Sequence, residues 1–338
     1  MGSQFGPATS AWSKSYSFTT FDPPGSSFTD PVSMNNRGQV VGFYEDSSGV
    51  THGFLDTKGT FATIDVPGSS FTLAQWSNDA GQIVGFYNDS SGVTHGFLDT
   101  KGKFTTVDPP GSSSTFAGPI NDAGQIIGSW IDSNNVQHGF LDIKGKFTTV
   151  DPPGSSSTLP DSINSRSQIV GSYSDSSGVT HGFLDTKGTF ITIDVPGSSL
   201  TDPISINDRG QIVGFYEDSS GVTHGFLDTK GTFITIDVPG SSLTVAASIN
   251  DAGQIMGGYE DGNFVLHGFL ASRNDDDAAA SSMSTQGPLT RASVIGDSRP
   301  TFLGTSNAEL VAGNGALGGL GSSVRSRVAR NGRSCARG

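Results

Sequence analysis

Six histidines recur at a constant interval of 43 residues, and they are the side chains best suited to chemistry in this sequence. They are His52, His95, His138, His181, His224 and His267. Imidazole is a common transition-metal ligand and acid–base group. One histidine per repeat, however, would spread the imidazoles around a symmetric structure, too far apart to share an ion. We therefore expect structural histidines, each bonded within its own repeat to a turn aspartate or a backbone carbonyl, and we predict neither a metal site nor a cofactor.

Other catalytic motifs are missing from the sequence. There is no Gly-x-Ser-x-Gly elbow, no His-Glu-x-x-His pair and no phosphate-binding glycine loop followed by lysine. The turn Asp46-Ser47-Ser48-Gly49 lacks the alternating carboxylates of a calcium loop and therefore predicts a plain hairpin. We predict no catalytic residues, and we leave the question of enzymatic activity open while favouring a protein without it.

The repeat itself indicates short strands and tight turns. In the first copy, residues 28–35, 39–45, 50–56 and 60–65 are rich in β-branched and aromatic residues and are separated by Asn/Asp/Ser/Lys–Gly turns. Glycine accepts the positive φ that such turns require. This pattern predicts four antiparallel strands per repeat, with Gly42 opposite Gly53 and Phe43 opposite His52 across the second hairpin.

The middle strands carry apolar residues on both faces, which indicates sheets covered on either side by neighbouring sheets. That is the packing of propeller blades. Residues 17–22 match a fourth strand without the first three, and residues 244–271 match three strands without a fourth. The sequence therefore predicts an all-β fold, a six-bladed β-propeller of four-stranded antiparallel blades, closed by an N-terminal strand that completes the last blade. A β-solenoid is the alternative.

Three sequence motifs also resemble a known family. The chain contains GQIVGFY from Gly81, HGFLDTKG from His52 and FTTVDPPG from Phe104, repeated at the 43-residue interval over about 250 residues. This combination resembles the HAF family of predicted extracellular bacterial repeats. The resemblance implies export from a bacterial cell and a binding or structural role.

Departures from the repeat are where a specific site is expected. The copies differ most in the first strand, at residues 30–33, 73–76, 116–119, 159–162, 202–205 and 245–248. In propellers closed in this way the first strand normally lines the central channel. The predicted ligand-binding residues at the channel mouth are Asp30, Gln75, Trp76, Asp161 and Asp202. We expect Trp76 to stack on a ligand beside Gln75 and Asp161 and to contribute little to blade packing.

A second binding hypothesis uses the symmetry of the repeats. One aromatic residue per blade could stack on a sugar, and several weak sites would add avidity. These residues are Tyr44, Tyr87, Trp130, Tyr173, Tyr216 and Tyr259. They fall in the middle strands, where blade packing also needs aromatic side chains, and we favour packing.

The charge distribution separates a body from a tail. Residues 1–271 hold 27 acidic and 11 basic side chains, whereas residues 272–338 hold 5 acidic side chains and 8 arginines. An acidic body repels phosphate backbones, so nucleic acid is not expected as a partner. We predict a disordered segment over 1–16, a propeller over 17–271 and a disordered Ser/Gly/Ala/Arg-rich tail over 272–338. No stretch has the length of a membrane span, no signal peptide is visible, and a monomer is expected.

These observations predict a non-enzymatic, exported repeat scaffold that presents a binding surface, for a glycan or another extracellular ligand. An enzyme, either a hydrolase or a lyase, with its site at the central channel is one alternative. A purely structural repeat protein is the other. The extracellular or cell-surface location rests on the family resemblance alone.

Overall fold

The structure is a computed structural model that describes residues 22–272, which fold into 23 strands. The predicted N-terminal segment 1–16, residues 17–21 of the strand predicted over 17–22, and the tail from residue 273 lie outside the described residues. Within the described range there is no helix. The all-β prediction is therefore confirmed.

The strands form six consecutive antiparallel sheets, which are the blades of a six-bladed β-propeller. Blade 1 contains β1 (Ser26–Met34), β2 (Gln39–Asp46), β3 (Thr51–Thr57) and β4 (Thr60–Ile64). Blade 2 contains β5 (Phe71–Ser77), β6 (Gln82–Asn88), β7 (Thr94–Thr100) and β8 (Lys103–Val107). Blade 3 contains β9 (Ser114–Ile120), β10 (Gln125–Ile131), β11 (Gln137–Ile143) and β12 (Lys146–Thr149).

The other three blades follow the same order. Blade 4 contains β13 (Ser157–Ile163), β14 (Gln168–Ser174), β15 (Thr180–Thr186) and β16 (Thr189–Ile193). Blade 5 contains β17 (Leu200–Ile206), β18 (Gln211–Glu217), β19 (Thr223–Thr229) and β20 (Thr232–Ile236). Blade 6 has three strands among the described residues, β21 (Leu243–Ile249), β22 (Ile255–Glu260) and β23 (Leu266–Ala271).

The predicted register of the second hairpin is wrong by one residue. Gly42 lies opposite Phe54, Phe43 opposite Gly53, and Tyr44 opposite His52. The reason is the turn, in which the Asp46 N–H donates to the Val50 carbonyl and Gly49 adopts a φ of 82°. Val50 therefore belongs to the loop and not to the strand, and the shift places an aromatic ring opposite each repeat histidine.

Neighbouring blades pack closely where the third strand carries glycine. A Cβ built on Gly139 of β11 would lie 2.8 Å from Pro160 Cγ of blade 4. Around such contacts the blades share apolar clusters, one of which joins Val41 and Ile64 of blade 1 to Phe97 of blade 2. These third-strand glycines therefore leave room for the neighbouring blade. Gly42 instead abuts the backbone of β1 in its own sheet.

A row of asparagines links the blades around the propeller. Each Nδ2 donates to the backbone carbonyl of the asparagine 43 residues later, at 3.0–3.1 Å. The donors are Asn35, Asn78, Asn121, Asn164 and Asn207. The same side chains accept backbone N–H groups of the following turn through Oδ1. Each asparagine thus fixes its own turn and joins it to the next blade.

The seam between blades 6 and 1 differs from the other interfaces. Met256 of blade 6 is 57% exposed, whereas the side chains at the same position of the other five blades are fully buried. On blade 1, Met34 is 69% exposed, whereas Ile249 at the same position of blade 6 is 6% exposed. Met34 and Met256, which face this seam, are therefore not covered by any residue within 22–272.

Candidate binding site at the central channel

The first strand of each blade is the innermost. Consecutive first strands contact one another around the propeller, from β1 through β5, β9, β13 and β17 to β21. This arrangement places the stretches that vary between repeats on one ring at the centre. Asp30 lies on β1, Gln75 and Trp76 on β5, Asp161 on β13 and Asp202 on β17.

A β-bulge at the same point of the first strands re-aims their side chains. The pairing with the second strand shifts between Ala74 and Trp76 in blade 2, and between Pro160 and Ser162 in blade 4. Gln75 and Asp161 are the extra residues at these two bulges. Bulges bend the strand, and they are frequent next to binding sites.

Trp76 and Asp161 line the same small cleft, although they belong to blades 2 and 4. Blade 3 also contributes to the lining, through residues that include Phe116 and Ser129. Leu159 and Pro160 complete the wall next to Asp161. The cleft therefore combines an aromatic and apolar surface with one carboxyl group, around a free volume of about 30 Å³ that is large enough for a water molecule or a hydroxyl group.

Asp161 is the electrostatically unusual group of this cleft. Its Oδ2 is buried and has no hydrogen-bond partner among the described residues. Burial raises the pKa of the carboxyl well above its ordinary value, and the nearby carboxylate of Asp202 raises it further. Both effects favour the protonated carboxyl, which can donate a hydrogen bond as well as accept one.

The other predicted site residues are placed differently. Gln75 is only 8% exposed, its Oε1 has no partner within residues 22–272, and it does not line the cleft. Asp202 is also buried and acts on the cleft through its charge on Asp161. Asp30 belongs to the first strand of blade 1, at the seam. The structure thus brings together Trp76 and Asp161, while Gln75 and Asp30 lie outside their cleft.

Trp76 contributes to blade packing, contrary to the sequence-based expectation. The ring is half-buried against the cluster that contains Val84, Ala117 and Phe140 at the interface of blades 2 and 3. The indole is large enough to reach the blade interface and the cleft at once. Replacing it by alanine would therefore remove packing as well as a contact surface.

The repeat histidines lie away from the channel, and five of them, from His52 to His224, lie between two carboxylates of their own blade. In blade 3 the His138 Nδ1 lies 2.6 Å from Asp151 Oδ2, and Nε2 lies 3.8 Å from Asp132 Oδ2. The predicted contact with the turn aspartate is present, but the shorter contact is with the aspartate 13 residues later. That aspartate follows the fourth strand, so the histidine joins the turn after strand two to the end of strand four.

An aromatic ring packs on each of these histidines. The Trp130 and His138 ring centroids are 4.7 Å apart, and the corresponding Tyr–His distances are 5.0–5.3 Å. Trp130 and Tyr87 also pack against the core clusters. One face of each per-blade aromatic is therefore occupied by imidazole, which agrees with the packing role favoured from the sequence.

The turn aspartates beside the histidines are held ionised by hydrogen bonds. The Ser91 hydroxyl and then the Val93 N–H lower the pKa of Asp89 to about 2. Ser177 and Ser220 act in the same way on Asp175 and Asp218, whose pKa values are also about 2. These carboxylates are already bonded to the loop backbone, consistent with the plain hairpin expected for this turn.

A second groove lies between blades 1 and 2. Leu55, Ile64, Ile83 and Phe104 form much of its lining, and Arg37, Lys101 and Asp99 lie among them. The four apolar positions recur throughout the repeats, so they do not distinguish the groove from its counterparts on other blades. We favour the central cleft because Trp76, Phe116 and Asp161 are each unique to their blade.

The described residues contain no group of three or more His, Cys, Asp or Glu side chains that could hold a metal ion. Within the same range, no helix is long and apolar enough to cross a membrane.

Several functional and structural residues were missed from the sequence. Phe116 and Leu159 lie in variable stretches, but their nearness to Trp76 depends on the spacing of three blades. The aspartate partners of the histidines could have been found, because Asp65 and its counterparts keep a constant 13-residue distance from them. The asparagines also carry a readable signal, since each directly precedes a turn at the 43-residue interval.

Comparisons with known proteins found similarity to solved structures. No protein-family model matches the chain, and no curated protein matches it. Among solved structures, an acylaminoacyl peptidase from Pyrococcus horikoshii is 13% identical with a TM-score of 0.51, over 73% of this chain and 45% of that chain. This chain therefore corresponds to less than half of the peptidase.

Lectins are also among the similar structures. A fungal lectin from Aleuria aurantia, described as a six-bladed β-propeller with a novel fucose recognition mode, is 14% identical with a TM-score of 0.39, over 69% of this chain and 87% of that chain. The BP39L lectin from Burkholderia pseudomallei is 12% identical with a TM-score of 0.44, over 74% and 83% of the two chains. At these identities the likeness concerns the fold alone.

Proposed function

We propose that this propeller is a non-enzymatic, exported scaffold that binds one small polar ligand, such as a terminal sugar of a glycan, at the central channel. The cleft between blades 2, 3 and 4 is the site. The observation that carries the proposal is the meeting of Trp76 and Asp161, from separate blades, in that cleft. Extracellular location follows from the motifs shared with the HAF repeats and remains part of the proposal.

The chemistry of the cleft suits the edge of a sugar, because its free volume of about 30 Å³ admits a hydroxyl group while the ring would lie at the mouth. Trp76 and Phe116 offer apolar surface to the C–H face of a pyranose, and a carboxyl group can bind its hydroxyls. The buried Asp161 Oδ2 has no partner among the described residues, so a ligand hydroxyl would satisfy it. A polar atom left without a partner is costly in the free protein, and a bound hydroxyl would offset that cost.

A single site is proposed because the aromatic and acidic residues that line the cleft do not repeat. Position 76 is tryptophan in blade 2 alone, and position 161 is aspartate in blade 4 alone. The per-blade aromatics, by contrast, already stack on histidine. The proposal therefore predicts a stoichiometry near one ligand per chain.

The test is a glycan array with the full chain, followed by calorimetric titration of the strongest monosaccharide or methyl glycoside. The test variants are Asp161→Ala and Phe116→Ala, and the matched control is Tyr173→Phe on the outer part of blade 4. The proposal predicts that both cleft variants weaken binding at least about tenfold, the effect of losing about 1.4 kcal/mol. Equal binding by all variants, or an array without a hit, would remove support for this function.

One observation favours the alternative of an enzyme at the channel. Asp161 and Asp202 are close enough for one carboxylate to raise the pKa of the other, and such pairs serve as acid and base in glycoside hydrolysis. An assay of chromogenic glycosides over a range of pH tests this alternative. Turnover by the wild type that is abolished in both Asp161→Asn and Asp202→Asn would favour the enzyme over the scaffold.

A further inference from the structure

The groove between blades 1 and 2, called here the blade 1–2 groove, is large enough to hold a whole small molecule. Its cavity volume is about 450 Å³, whereas that of the central cleft is about 30 Å³. Pockets that hold small organic ligands commonly measure about 300–1,000 Å³. Both blades supply its apolar lining, with Leu55 and Ile64 from blade 1 and Ile83 and Phe104 from blade 2.

A small residue in its wall distinguishes this groove from its counterparts. Ala62 of β4 lines it. The residues at the same position of the next four blades all have larger side chains: Thr105, Thr148, Ile191 and Ile234. A methyl group leaves free the space that a threonine or isoleucine side chain would take. The wall of the blade 1–2 groove is therefore the most open of the five at this position.

A glutamine side chain also turns away from the next blade at this interface. Gln39 Nε2 donates to Thr57 Oγ1 of its own blade at 3.2 Å. In blade 2 the corresponding Gln82 lies against blade 3, since a Cβ built on Gly124 would be 3.2 Å from Gln82 Oε1. A Cβ built on Gly81, the counterpart of Gly124, would have no non-neighbouring atom of the described structure within 4 Å. The space beside the Gly81 turn is therefore open.

Two cationic side chains also line the groove. Arg37 lies in the turn after β1 and Lys101 in the turn after β7, and both are exposed. Among residues 22–272, neither forms an ion pair with a carboxylate. The two acidic lining residues are engaged elsewhere. Asp65 Oδ2 lies 2.8 Å from His52 Nδ1, and Asp99 is 3% exposed and accepts a backbone N–H of the following turn at 2.6 Å.

The combination of a cation with a small wall residue occurs at this interface alone among the interfaces between consecutive blades 1 to 6. Blades 2 and 3 have alanine in place of Arg37, and blades 4 and 5 have arginine there but isoleucine in place of Ala62. The residues concerned are Ala80, Ala123, Arg166, Arg209, Ile191 and Ile234. The blade 1–2 groove thus differs from the repeat in charge and in room together.

We infer that the blade 1–2 groove is a second ligand site, which takes a small organic anion with an apolar body, such as a medium-chain carboxylate. The apolar body lies against Leu55, Ile83 and Phe104, and burial of its surface stabilises the complex. The carboxylate lies at the rim, where the Arg37 guanidinium can bind it through two parallel hydrogen bonds. This site is separate from the central cleft and does not depend on the function proposed for it.

Octanoate and octanol are suitable probes, because they share an apolar chain and differ in charge. Their affinities for the full chain are measured by ligand-observed NMR titration. Ala62→Ile fills the wall, and Thr105→Ile introduces the same residue between blades 2 and 3 as a matched control. Arg37→Ala removes the rim cation, and Arg209→Ala is its matched control in blade 5. Each substitution copies a residue that another blade has at that position, so the variants should fold, which thermal melting checks.

The inference predicts that Ala62→Ile weakens octanoate binding at least about tenfold, while Thr105→Ile leaves it unchanged. Arg37→Ala should weaken octanoate binding at least about threefold, as expected for one exposed charge, and leave octanol binding unchanged. Wild type that does not bind octanoate would overturn the inference, as would equal effects of Ala62→Ile and Thr105→Ile. Octanol binding as tight as octanoate binding, together with indifference to Arg37→Ala, would overturn the assignment of an anionic ligand.

Discussion

Asn121 Nδ2 donates to the backbone carbonyl of Asn164 at 3.1 Å, across the interface between blades 3 and 4. The same amide donates to Gln125 Oε1 at 2.7 Å, and its Oδ1 accepts the Gln125 N–H at 3.1 Å. The side chain is buried, so these bonds are protected from water. The asparagine row therefore adds directional bonds between blades to their apolar contact.

Replacing Asn121 tests this row. Asn121→Ala should lower the free energy of unfolding by about 1–3 kcal/mol, because it leaves the Asn164 carbonyl and turn N–H groups without partners. Asn121→Asp keeps the acceptor for the turn but loses the donor to Asn164. It should therefore also be destabilised. Chemical denaturation measures both, and a wild-type value for Asn121→Asp would show that the cross-blade bond contributes nothing.

The repeat period is the part of the fold that could be predicted with most success. A 43-residue interval, strand-like runs and Gly turns are enough for a six-bladed propeller, because each blade is a local structure with the same sequence. The one-residue register error arose at Asp46–Val50, since the loop length depends on backbone bonds that the residue types do not specify. The strands themselves were predicted correctly despite that error, but the residue opposite each histidine was predicted wrongly.

The candidate site could be predicted only in part. Trp76 and Asp161 were found because they break the repeat, a signal present in the sequence itself. Phe116 and Leu159 also break the repeat, but they became site residues only through the packing of three blades around one cleft. Gln75 was expected beside Trp76 and is instead buried outside the cleft.

The buried carboxyl of Asp161 predicts a pH-dependent stability. Its pKa in the folded protein is raised above the ordinary value of 3.8, so its contribution to stability is fully present below about pH 3.8 and is lost as pH rises through the folded pKa. Asp161→Asn cannot ionise. It should melt at a higher temperature than the wild type at pH 8, with the difference shrinking as the pH falls towards 4.

Calorimetry of the wild type, Asp161→Asn and Asp202→Asn over that pH range checks the prediction. Each kcal/mol of added stability should raise the melting temperature by about 2–4 °C for a domain of this size. Asp202→Asn removes the neighbouring charge and should give part of the same stabilisation. A wild type that is more stable than Asp161→Asn at pH 8 would contradict the electrostatic description of the cleft.

The outer turns predict the opposite pH dependence. Asp89 has a pKa of about 2 in the folded protein, below its ordinary 3.8, so its contribution is present above about pH 3.8 and is lost as pH falls towards 2. Ser91→Ala removes the hydrogen bond that lowers this pKa most and should raise it towards 3.8. Carbonyl NMR titration measures the change.

Blade 3 offers a matched control for that titration. Its turn has Asn134 in place of serine, and the pKa of Asp132 is lowered chiefly by the Val136 N–H. Asn134→Ala should therefore move the pKa of Asp132 less than Ser91→Ala moves that of Asp89. Shifts of equal size in the two turns would show that the hydroxyl is not the main cause.

The histidines are predicted to stabilise their blades without a metal. His138→Ala should lower the free energy of unfolding by about 1–2 kcal/mol in metal-free buffer, since Asp151 is 2.6 Å away and three-quarters buried. His181→Ala should lose less than about 1 kcal/mol, because Asp194 is more exposed and screened by water. Thermal melting with and without chelator is the measurement, and a wild type destabilised by chelator would instead favour a metal role.

The most direct test of the proposed binding function is the stoichiometry and residue dependence of sugar binding. Calorimetric titration of the full chain with the methyl glycoside selected on the array should give about one site, with binding weakened at least about tenfold in Asp161→Ala and Phe116→Ala. Trp76→Phe, which keeps an apolar ring against the blade interface, should weaken binding while preserving the fold. A stoichiometry approaching six, together with indifference to Trp76, Phe116 and Asp161, would contradict a site at the central channel.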